Sequence, residues 1–220
     1  NPIPYAQIIT STTHKTLRGP RGGMILCQKE FKEVVDKGCP ITLGGPLPHV
    51  IAAKTVAFKE ANTSSFCAYA EQIVKNAQAL ANGLIYHGVH VLTGGTENHL
   101  MVFEVSSSLG LTGLQAENAL RQAHFTVNRN SIPFDKNGPW FTSGIRIGTA
   151  ALTTLGMKEQ EMTQIADWIY LLLKHTKPAK AEKGNSRSLV DIDSSILKEI
   201  QKHISVLLKR FPLYPDLIFD

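Results

Sequence analysis

The sequence lacks several features that would assign it to a class at once. No apolar run approaches the length of a membrane span, and the first residues do not follow the basic-then-apolar order of a signal peptide. Cysteine is scarce, and the three present, Cys27, Cys39 and Cys67, have neither zinc spacing nor a disulfide framework. These absences predict a soluble protein of a reducing compartment. We therefore expect a cytoplasmic location and no membrane partner.

The sequence has no long basic block either, although its net charge is +5. Lysine and arginine are spread along the whole length, and the aromatic residues do not alternate with them. Nucleic-acid grooves combine clustered cations with aromatic side chains on which bases stack. The charge pattern therefore favours small anionic ligands over nucleic acid, and a basic nucleic-acid-binding module is the weakest of the functional alternatives.

Two further absences concern metal ligands and the initiator methionine. His87 and His90 flank Gly88 and could form half of a metal site, but no third ligand follows at a suitable spacing, so we predict no metal. The chain opens with Asn-Pro-Ile-Pro and reaches a dense motif shortly afterwards. This opening leads us to expect the downstream piece of a longer protein.

What the sequence contains is a mixed pattern of strands and helices. The apolar, β-branched runs "YAQIITST" and "GGMILCQ" predict two buried strands with a loop between them. The stretch "QKEFKEVVDKG" predicts a short helix ending at Gly38, and residues 50–61 are predicted to be helical. The run "SSFCAYAEQIVKNAQALANGLIYHG" has apolar residues at helical spacing and predicts one long connecting helix.

Beyond that helix the pattern predicts a compact α+β domain. The predicted strands are "VHVLTGG", "HLMVFEVS", residues 125–128 and "SGIRIGTAA", the last running into a turn. The predicted helices are "TGLQAENALRQAH", opened by Thr112, and residues 158–175 and 188–210, and "KPAKAEKGNS" is predicted to be an exposed linker. We place the domain boundary near Ser64. Residues 1–63 are then the tail of a larger α/β domain, and residues 64–220 are a small C-terminal α+β domain.

The stretch "TSTTHKTLRGPRGGMIL" places Lys15 on the loop between the first two predicted strands. Neighbouring cations favour the neutral, nucleophilic form of a lysine amine, and Arg18, Arg21 and His14 are close in sequence. "GPRGG" lets the backbone approach a ligand and expose its amides to a phosphate, and hydroxyl donors toward a ligand are offered by Thr10, Ser11, Thr12, Thr13 and Thr16. A polar, basic loop without a ligand explains the same composition, so spacing alone does not identify a cofactor.

The motif "TSTTHKTLRGPRGG" resembles, almost residue for residue, the lysine motif of the serine hydroxymethyltransferases. These enzymes use pyridoxal phosphate and tetrahydrofolate to interconvert serine and glycine. The similarity continues in the family's order through "GGPLPHV", "LTGGTENHL", "LTG", "VNRNSIPFD" and "TSGIRIGTAA". It implies the downstream half of a fold-type I pyridoxal-phosphate transferase, with residues 1–63 ending the large domain and residues 64–220 forming the small one. A homodimer or a pair of dimers is implied as well.

The resemblance also implies roles for individual residues. Lys15 is expected to be the catalytic lysine that forms an imine with pyridoxal phosphate, is displaced by the substrate amine and later helps to release product. Thr12, His14 and Arg21 are expected beside the cofactor. Their occurrence in a matched motif supports a binding role, whereas loop packing is the main alternative for Arg21.

Two more positions are implied to bind substrates. Arg146, in "TSGIRIG", matches the arginine that holds the amino acid's carboxylate, a group that a guanidinium binds with two parallel hydrogen bonds. Asn130, in "NRNSIP", matches the asparagine near the pterin of the folate, where an amide can donate and accept. A turn asparagine before Ile132 and Pro133 is an equally good interpretation of Asn130.

Gly44 and Gly45 match the paired glycines whose backbone meets the cofactor phosphate, in this family across the subunit boundary. The sequence departs from the family just before them. Leu43 stands where a glutamine is usual, and Cys39 and Ile41 replace the usual phenylalanine and glycine. Backbone contact is compatible with these changes, but the side-chain contacts of this loop must differ from the family's.

The implied reaction transfers the hydroxymethyl carbon of serine to tetrahydrofolate, with pyridoxal phosphate as the electron sink. In family members the acid–base glutamate, the histidine stacked on the cofactor ring and the aspartate at the pyridine nitrogen lie upstream of the matched region. We therefore expect the isolated chain to be inactive. The alternative is another fold-type I enzyme such as a threonine aldolase, which shares the lysine but lacks the folate site.

Overall fold

The computed structural model describes residues 1–182 and 184–215, apart from the side chain of Pro40. The chain forms two compact units, Asn1–Ala70 and Glu71–Asp220, and the long predicted helix crosses from one unit into the other. The assignment of residues 1–63 and 64–220 to the domains of a larger enzyme stays a prediction.

The first unit consists of a hairpin followed by helices. Its elements are strands β1 (Ile8–Thr12) and β2 (Gly23–Cys27), a 3-10 turn (Lys29–Phe31), and helices α1 (Lys32–Ile41), α2 (Pro48–Ala61) and the start of α3 (Ser64–Tyr86). The backbone of α1 leaves helical geometry at Cys39, with φ −108° and ψ 100°, directly after Gly38. The regular helix therefore ends at Gly38, as predicted, but a further helical turn follows the kink as far as Ile41. Helix α2 begins on Pro48, whose fixed φ suits a first helical turn.

The prediction that the first two strands are buried is wrong. β1 and β2 pair antiparallel, from Ile8 opposite Cys27 to Thr12 opposite Gly23, but neither strand contains a buried residue. Among the described side chains of this unit, only Thr13 and Ala57 are buried. Because the unit has so little core, the apolar character of the strands does not lead to burial.

The second unit is built around a four-stranded antiparallel sheet. Its strands, in spatial order, are β3 (His90–Val91), β4 (Leu100–Glu104), β6 (Gly144–Gly148) and β5 (Asn128–Asn130). Its helices are the rest of α3, α4 (Ser106–Leu109), α5 (Gly113–Gln122), α6 (Gly138–Phe141), α7 (Ala150–Thr154), α8 (Glu159–Lys174) and α9 (Ser194–Arg210). A separate hairpin joins β7 (Thr176–Lys180) to β8 (Asn185–Ile192).

One face of the central sheet carries the core. Met101 and Phe103 of β4 and Ile145 of β6 are almost fully buried. They belong to one apolar cluster with residues of α3, α5, α8 and α9, including Leu80, Leu120, Ile169 and Ile200. Because side chains alternate along a strand, the residues between them point to the opposite, open face of the sheet.

The structure contradicts the prediction of an exposed linker followed by a helix from residue 188. Apart from residue 183, which lies outside the described residues, "KPAKAEKGNS" forms all of β7 after Thr176, the turn and the start of β8, and α9 begins only at Ser194. Along β8 the side chains alternate between exposed and half-buried, with Val190 and Ile192 packed on the core. This alternation is strand geometry, and the polar residues between the apolar ones obscure it in the sequence.

Two predicted strands are displaced, while the predicted helices before residue 188 are found close to their expected positions. The strand expected over "VHVLTGG" is limited to His90–Val91 and continues as a 3-10 turn, and the strand expected over residues 125–128 is Asn128–Asn130. Thr112 caps α5 as predicted, in a reciprocal capping box with Gln115. Among the described residues, no helix has the length and apolar character needed to cross a bilayer.

Candidate functional site

Lys15 lies at the exposed tip of the β1–β2 hairpin. The register ends with Thr12 opposite Gly23, so residues 13–22 form the loop that carries the lysine. The side chain of Lys15 is exposed, whereas Thr12 and His14 are half-buried. The predicted position of the lysine on a loop between two strands is confirmed, and its amine is accessible to a ligand.

Thr13 fixes this loop from inside. Its hydroxyl donates a hydrogen bond to the carbonyl of Pro20 (2.7 Å), and its backbone N–H donates to the carbonyl of Gly22 (3.0 Å). The N–H of Gly19 donates to the carbonyl of Thr13 (2.8 Å). Thr13 has no exposed surface, so its hydroxyl is used within the loop. This corrects the sequence interpretation that counted Thr13 among the hydroxyl donors toward a ligand.

Two glycines allow the loop to close. A Cβ on Gly19 would lie 2.8 Å from the carbonyl oxygen of Thr13, and a Cβ on Gly22 would lie 3.1 Å from Cε of Lys54. The ammonium of Lys54 donates to the carbonyl of Gly23 (2.7 Å), which joins α2 to the start of β2. Gly19 is therefore required by close backbone approach, independently of any ligand, whereas the neighbour of Gly22 is the flexible end of a lysine side chain.

Arg18 holds the loop from outside. Its backbone lies in the left-handed region (φ 55°), and its N–H donates to the carbonyl of Lys15 (2.9 Å). Its guanidinium lies over the ring of Tyr69, 4.1 Å from the centroid, and 5.7 Å from the ring centroid of Phe66. Both rings belong to the first turns of α3, so a cation–π contact connects the lysine loop to that helix.

His14 and Arg21 lie next to one another beside Lys15. A terminal nitrogen of Arg21 is 3.5 Å from Nε2 of His14, and Nδ1 of His14 is 3.2 Å from the carbonyl oxygen of Gly22. Nδ1 also lies 3.3 Å from the backbone N of Gly22, so it can accept from that N–H or donate to the carbonyl, depending on the tautomer. The side chain of Arg21 is exposed, so its guanidinium can also meet an anion.

Gly44 and Gly45 lie on an exposed segment between α1 and α2. Gly44 has φ 78°, a left-handed conformation that favours glycine, while an added Cβ on either residue would meet nothing within 4 Å. Leu43 and Ile41, which replace the family's usual residues, are 67% and 81% exposed. The segment thus presents its backbone and two apolar side chains to the outside of the first unit.

Arg146 and Asn130 lie on the open face of the central sheet in the second unit. Arg146 is opposite Val102 on β4 and Asn128 on β5, and Asn130 is opposite Gly144, one row further along. Directly opposed residues of antiparallel strands point to the same side, so the arginine and the asparagine share this face. Arg146 is exposed, and the amide of Asn130 donates to the carbonyl of Ser131 (2.7 Å).

A carboxylate that the sequence interpretation did not single out lies on the same face. Glu104 is opposite Gly144, and its side chain accepts hydrogen bonds from Nδ1 of His90 (3.0 Å) and the hydroxyl of Ser106 (2.8 Å). The hydrogen bond from His90 holds the pKa of the Glu104 carboxyl below its usual value, against the opposing effect of burial. The sheet face therefore combines a cation, an amide and a carboxylate.

The two histidines considered as metal ligands contact separate carboxylates. Nε2 of His87 is 2.7 Å from Asp167 of α8, whereas His90 contacts Glu104. Within the described part of the chain, no group of three or more histidine, cysteine, aspartate or glutamate side chains is arranged to hold a metal ion.

The expected site residues thus fall into two groups. The first unit holds the cofactor group, Lys15 with Thr12, His14, Arg21, Gly44 and Gly45. The second unit holds the substrate group, Arg146 and Asn130. The first group offers an amine, hydroxyls and a guanidinium, which suit an aldehyde and a phosphate; the second offers groups that suit a carboxylate and a heterocycle.

Comparison with known proteins places these features in one family. The family model "Serine hydroxymethyltransferase" matches residues 1–169, which include every expected site residue. Over 218 residues, or 99% of this chain, the sequence is 51% identical to a serine hydroxymethyltransferase of Treponema pallidum (strain Nichols) and 50% identical to those of Chlamydia trachomatis serovar L2 and Cutibacterium acnes. The chain spans 38% of the length of the first relative and 44% of the other two.

The family that these matches identify is one of fold-type I pyridoxal-phosphate transferases, and the mixed α and β structure of this chain is consistent with that class. The chain belongs to the serine hydroxymethyltransferase family. The expectation drawn from the lysine motif is confirmed at the level of the family.

Proposed function

We propose that the protein interconverts serine and glycine and transfers the hydroxymethyl carbon to tetrahydrofolate, with pyridoxal phosphate as cofactor. The observation that carries this proposal is the family match over residues 1–169, together with a loop that leaves Lys15 exposed while Thr13 fixes its backbone. A reactive lysine needs both properties, because its amine must reach the cofactor and its position must not vary.

The residues around Lys15 fit the cofactor chemically. Lys15 would attach covalently to the aldehyde of pyridoxal phosphate, with Thr12 and His14 at the edge of the cofactor and Arg21 as a cation for its anionic groups. Gly44 and Gly45 have open space above their α-carbons, so a phosphate could approach their backbone closely. Bound pyridoxal phosphate supplies the electron sink for bond cleavage at the α-carbon of the amino acid.

Arg146 and Asn130 would bind the two substrates. The exposed guanidinium of Arg146 can hold the carboxylate of serine or glycine with two parallel hydrogen bonds, which fixes the orientation of the bond to be broken. The amide of Asn130 can donate to and accept from the edge of a pterin. Their position on one sheet face supports a common role, since both would approach the same reacting carbon.

The finer architecture belongs to the same proposal. Residues 1–63 would complete a large cofactor-binding domain, and residues 64–220 would form the small C-terminal domain. The functional unit would be a homodimer or a pair of dimers in the cytoplasm. The exposed Leu43 and Ile41, on the segment with Gly44 and Gly45, support a contact there with another polypeptide.

The test uses the full-length protein loaded with pyridoxal phosphate. Glycine is added with and without a reduced folate, and the visible spectrum is recorded. We expect a long-wavelength absorbance that the folate strengthens, and we expect Asn130→Ala to lose this response while Ser131→Ala, which keeps the backbone carbonyl bonded by Asn130, retains it. A response to glycine that is identical with and without folate would contradict the proposal and favour a threonine aldolase.

A further inference from the structure

The connection between β5 and β6 has an unusual backbone. It covers residues 131–143 and contains two non-glycine residues in the left-handed region, Phe134 (φ 57°) and Thr142 (φ 53°). Phe134 is 99% exposed, so no burial of its ring compensates for this conformation. Left-handed backbone at such residues persists only where surrounding contacts impose it. The connection must therefore contain an interaction that holds it in shape.

That interaction is the carboxylate of Asp135, which accepts four hydrogen bonds. Oδ2 accepts from the backbone N–H of Ile132 (3.2 Å) and of Ser143 (2.9 Å). Oδ1 accepts from the backbone N–H of Asn137 (2.9 Å) and the hydroxyl of Ser143 (2.6 Å). The side chain is only partly exposed, and charge-assisted bonds of this kind are stronger than bonds between neutral groups.

The bonds to Oδ2 join the two ends of the connection. Ile132 follows Asn130 by two residues, and Ser143 precedes Arg146 by three. Oδ2 of Asp135 therefore bonds the backbone close in sequence to both expected substrate residues. The two backbones are also tightly packed. A Cβ on Gly144 would lie 2.7 Å from Cγ2 of Ile132 and 3.0 Å from the carbonyl oxygen of Asn130.

We propose that Asp135 is a positioning residue of the amino-acid and folate sites, which sets the placement of Asn130 and Arg146 by bridging the strands that carry them. This role rests on the proposed function. Asp135 acts through the backbone and is not itself a catalytic residue. Its effect extends to both substrates because Oδ2 joins the end of β5 to the start of β6.

The test compares two aspartates of the same unit in the full-length protein loaded with pyridoxal phosphate. Asp135→Asn keeps the size of the side chain but replaces an accepting oxygen by an NH₂ group that cannot accept. Asp193→Asn is the matched control, because Asp193 also accepts from two backbone N–H groups and a hydroxyl, at the start of α9. Affinities for glycine and for a reduced folate are measured by titration, alongside thermal unfolding and the visible absorbance of the Lys15-bound cofactor.

We expect both variants to unfold at lower temperature and to keep the cofactor absorbance. Only Asp135→Asn should weaken both glycine and folate binding, each by about tenfold or more, since small displacements of positioned groups have effects of this size. Ser143→Ala removes one bond to Oδ1 and leaves the bridge through Oδ2, so it should bind both ligands like the wild type.

Unchanged affinities in Asp135→Asn, measured below its unfolding temperature, would overturn the inference and leave Asp135 with a purely structural role. Equal losses in Asp135→Asn and Asp193→Asn would overturn it as well, because the effect would then follow general destabilisation. If the wild-type protein gives no response to glycine and folate, the proposed function fails instead.

Discussion

Arg146 carries the most specific expectation for a single side chain. It is exposed on the central strand β6, and a guanidinium binds a carboxylate through two parallel bonds that an ammonium cannot reproduce. We expect Arg146→Lys to weaken glycine binding about tenfold or more, a loss of at least about 1.4 kcal/mol. Isothermal titration with glycine measures the change.

Arg121→Lys provides the control for this substitution. Arg121 lies in the same unit on α5, with a side chain that is 70% exposed and 3.5 Å from Glu117. Arg121→Lys also replaces a guanidinium by an ammonium, but away from the sheet face that carries Arg146. The affinity for glycine should therefore stay at the wild-type value. If Arg146→Lys also binds glycine normally, Arg146 does not bind the carboxylate.

The carboxyl of Asp135 makes stability depend on pH. Burial opposes its ionisation, but the bonds from Ser143, Asn137 and Ile132 prevail and hold its pKa below the usual value. The unfolded chain therefore binds a proton more readily than the folded one. The stabilisation is fully present above the unfolded pKa of about 4 and is lost as the pH falls through the lower folded pKa.

We therefore expect Asp135→Asn to be less stable than the wild type near neutral pH and to lose less stability on acidification. Ser143→Ala, which removes one of the donors, should fall between the two. Urea unfolding followed by tryptophan fluorescence, from about pH 7 down to about pH 3, gives the free energies needed. If the free energy of unfolding changed with pH in the same way in the wild type and in Asp135→Asn, the carboxyl of Asp135 would contribute nothing to the pH dependence.

The sequence predicted the position of some functional side chains and missed the contacts of others. The lysine motif indicated Lys15 on an exposed loop, because the glycines and hydroxyls around it are adjacent in the chain. Asp135 was not found, since its role depends on Ser143 being folded back onto it. Arg18 was interpreted only as a nearby cation, although its guanidinium lies over Tyr69, a residue far away in sequence.

At the scale of elements, helix α5 is held by Thr112, the N-cap residue that precedes its first turn. The hydroxyl of Thr112 accepts from the N–H of Gln115 (3.1 Å) and donates to the carbonyl of Arg187 on β8 (2.8 Å). We expect Thr112→Ala to lower the free energy of unfolding by about 1–2 kcal/mol, because both bonds are lost. Thr112→Ser keeps the hydroxyl and should recover most of this in urea unfolding; equal losses in the two variants would exclude the hydroxyl as the cause.

The same contacts explain why the β7–β8 hairpin could not be predicted locally. The side chains of Thr112, Gln115 and Asn118 donate to the carbonyls of Arg187, Ser186 and Ser188, so α5 covers the edge of β8. These partners are 70 to 75 residues apart in the chain. Helices such as α3 and α8 were predicted well because their apolar spacing is a local property, whereas this strand is specified by a distant helix.

At the scale of the whole molecule, the two units differ in how much core they contain. The second unit holds the large apolar cluster around Phe103 and Ile145, whereas Thr13 and Ala57 are the buried residues among the described side chains of the first unit. Amide protection follows local burial and cooperativity. In the 220-residue chain, we therefore expect β1 and β2 to exchange hydrogen about a hundredfold faster than β4 and β6.

Hydrogen exchange followed by mass spectrometry of peptides covering the four strands measures this difference. A peptide from α8, whose Ile169 and Leu172 are buried, serves as the reference for full protection. Equal protection of β1 and β4 would show that the first unit is as stable as the second, in contradiction to its small core.

Lys15 is proposed to carry the cofactor for the whole molecule, and covalent labelling shows which lysine does so. The full-length protein is loaded with pyridoxal phosphate, reduced with borohydride, digested and mapped by mass spectrometry. Lys54, which donates to the carbonyl of Gly23 beside the same loop, is the internal control. We expect a stoichiometric pyridoxyl label on Lys15, which Lys15→Ala abolishes. A label on Lys54 or on any other lysine of the wild-type protein would show that Lys15 does not carry the cofactor.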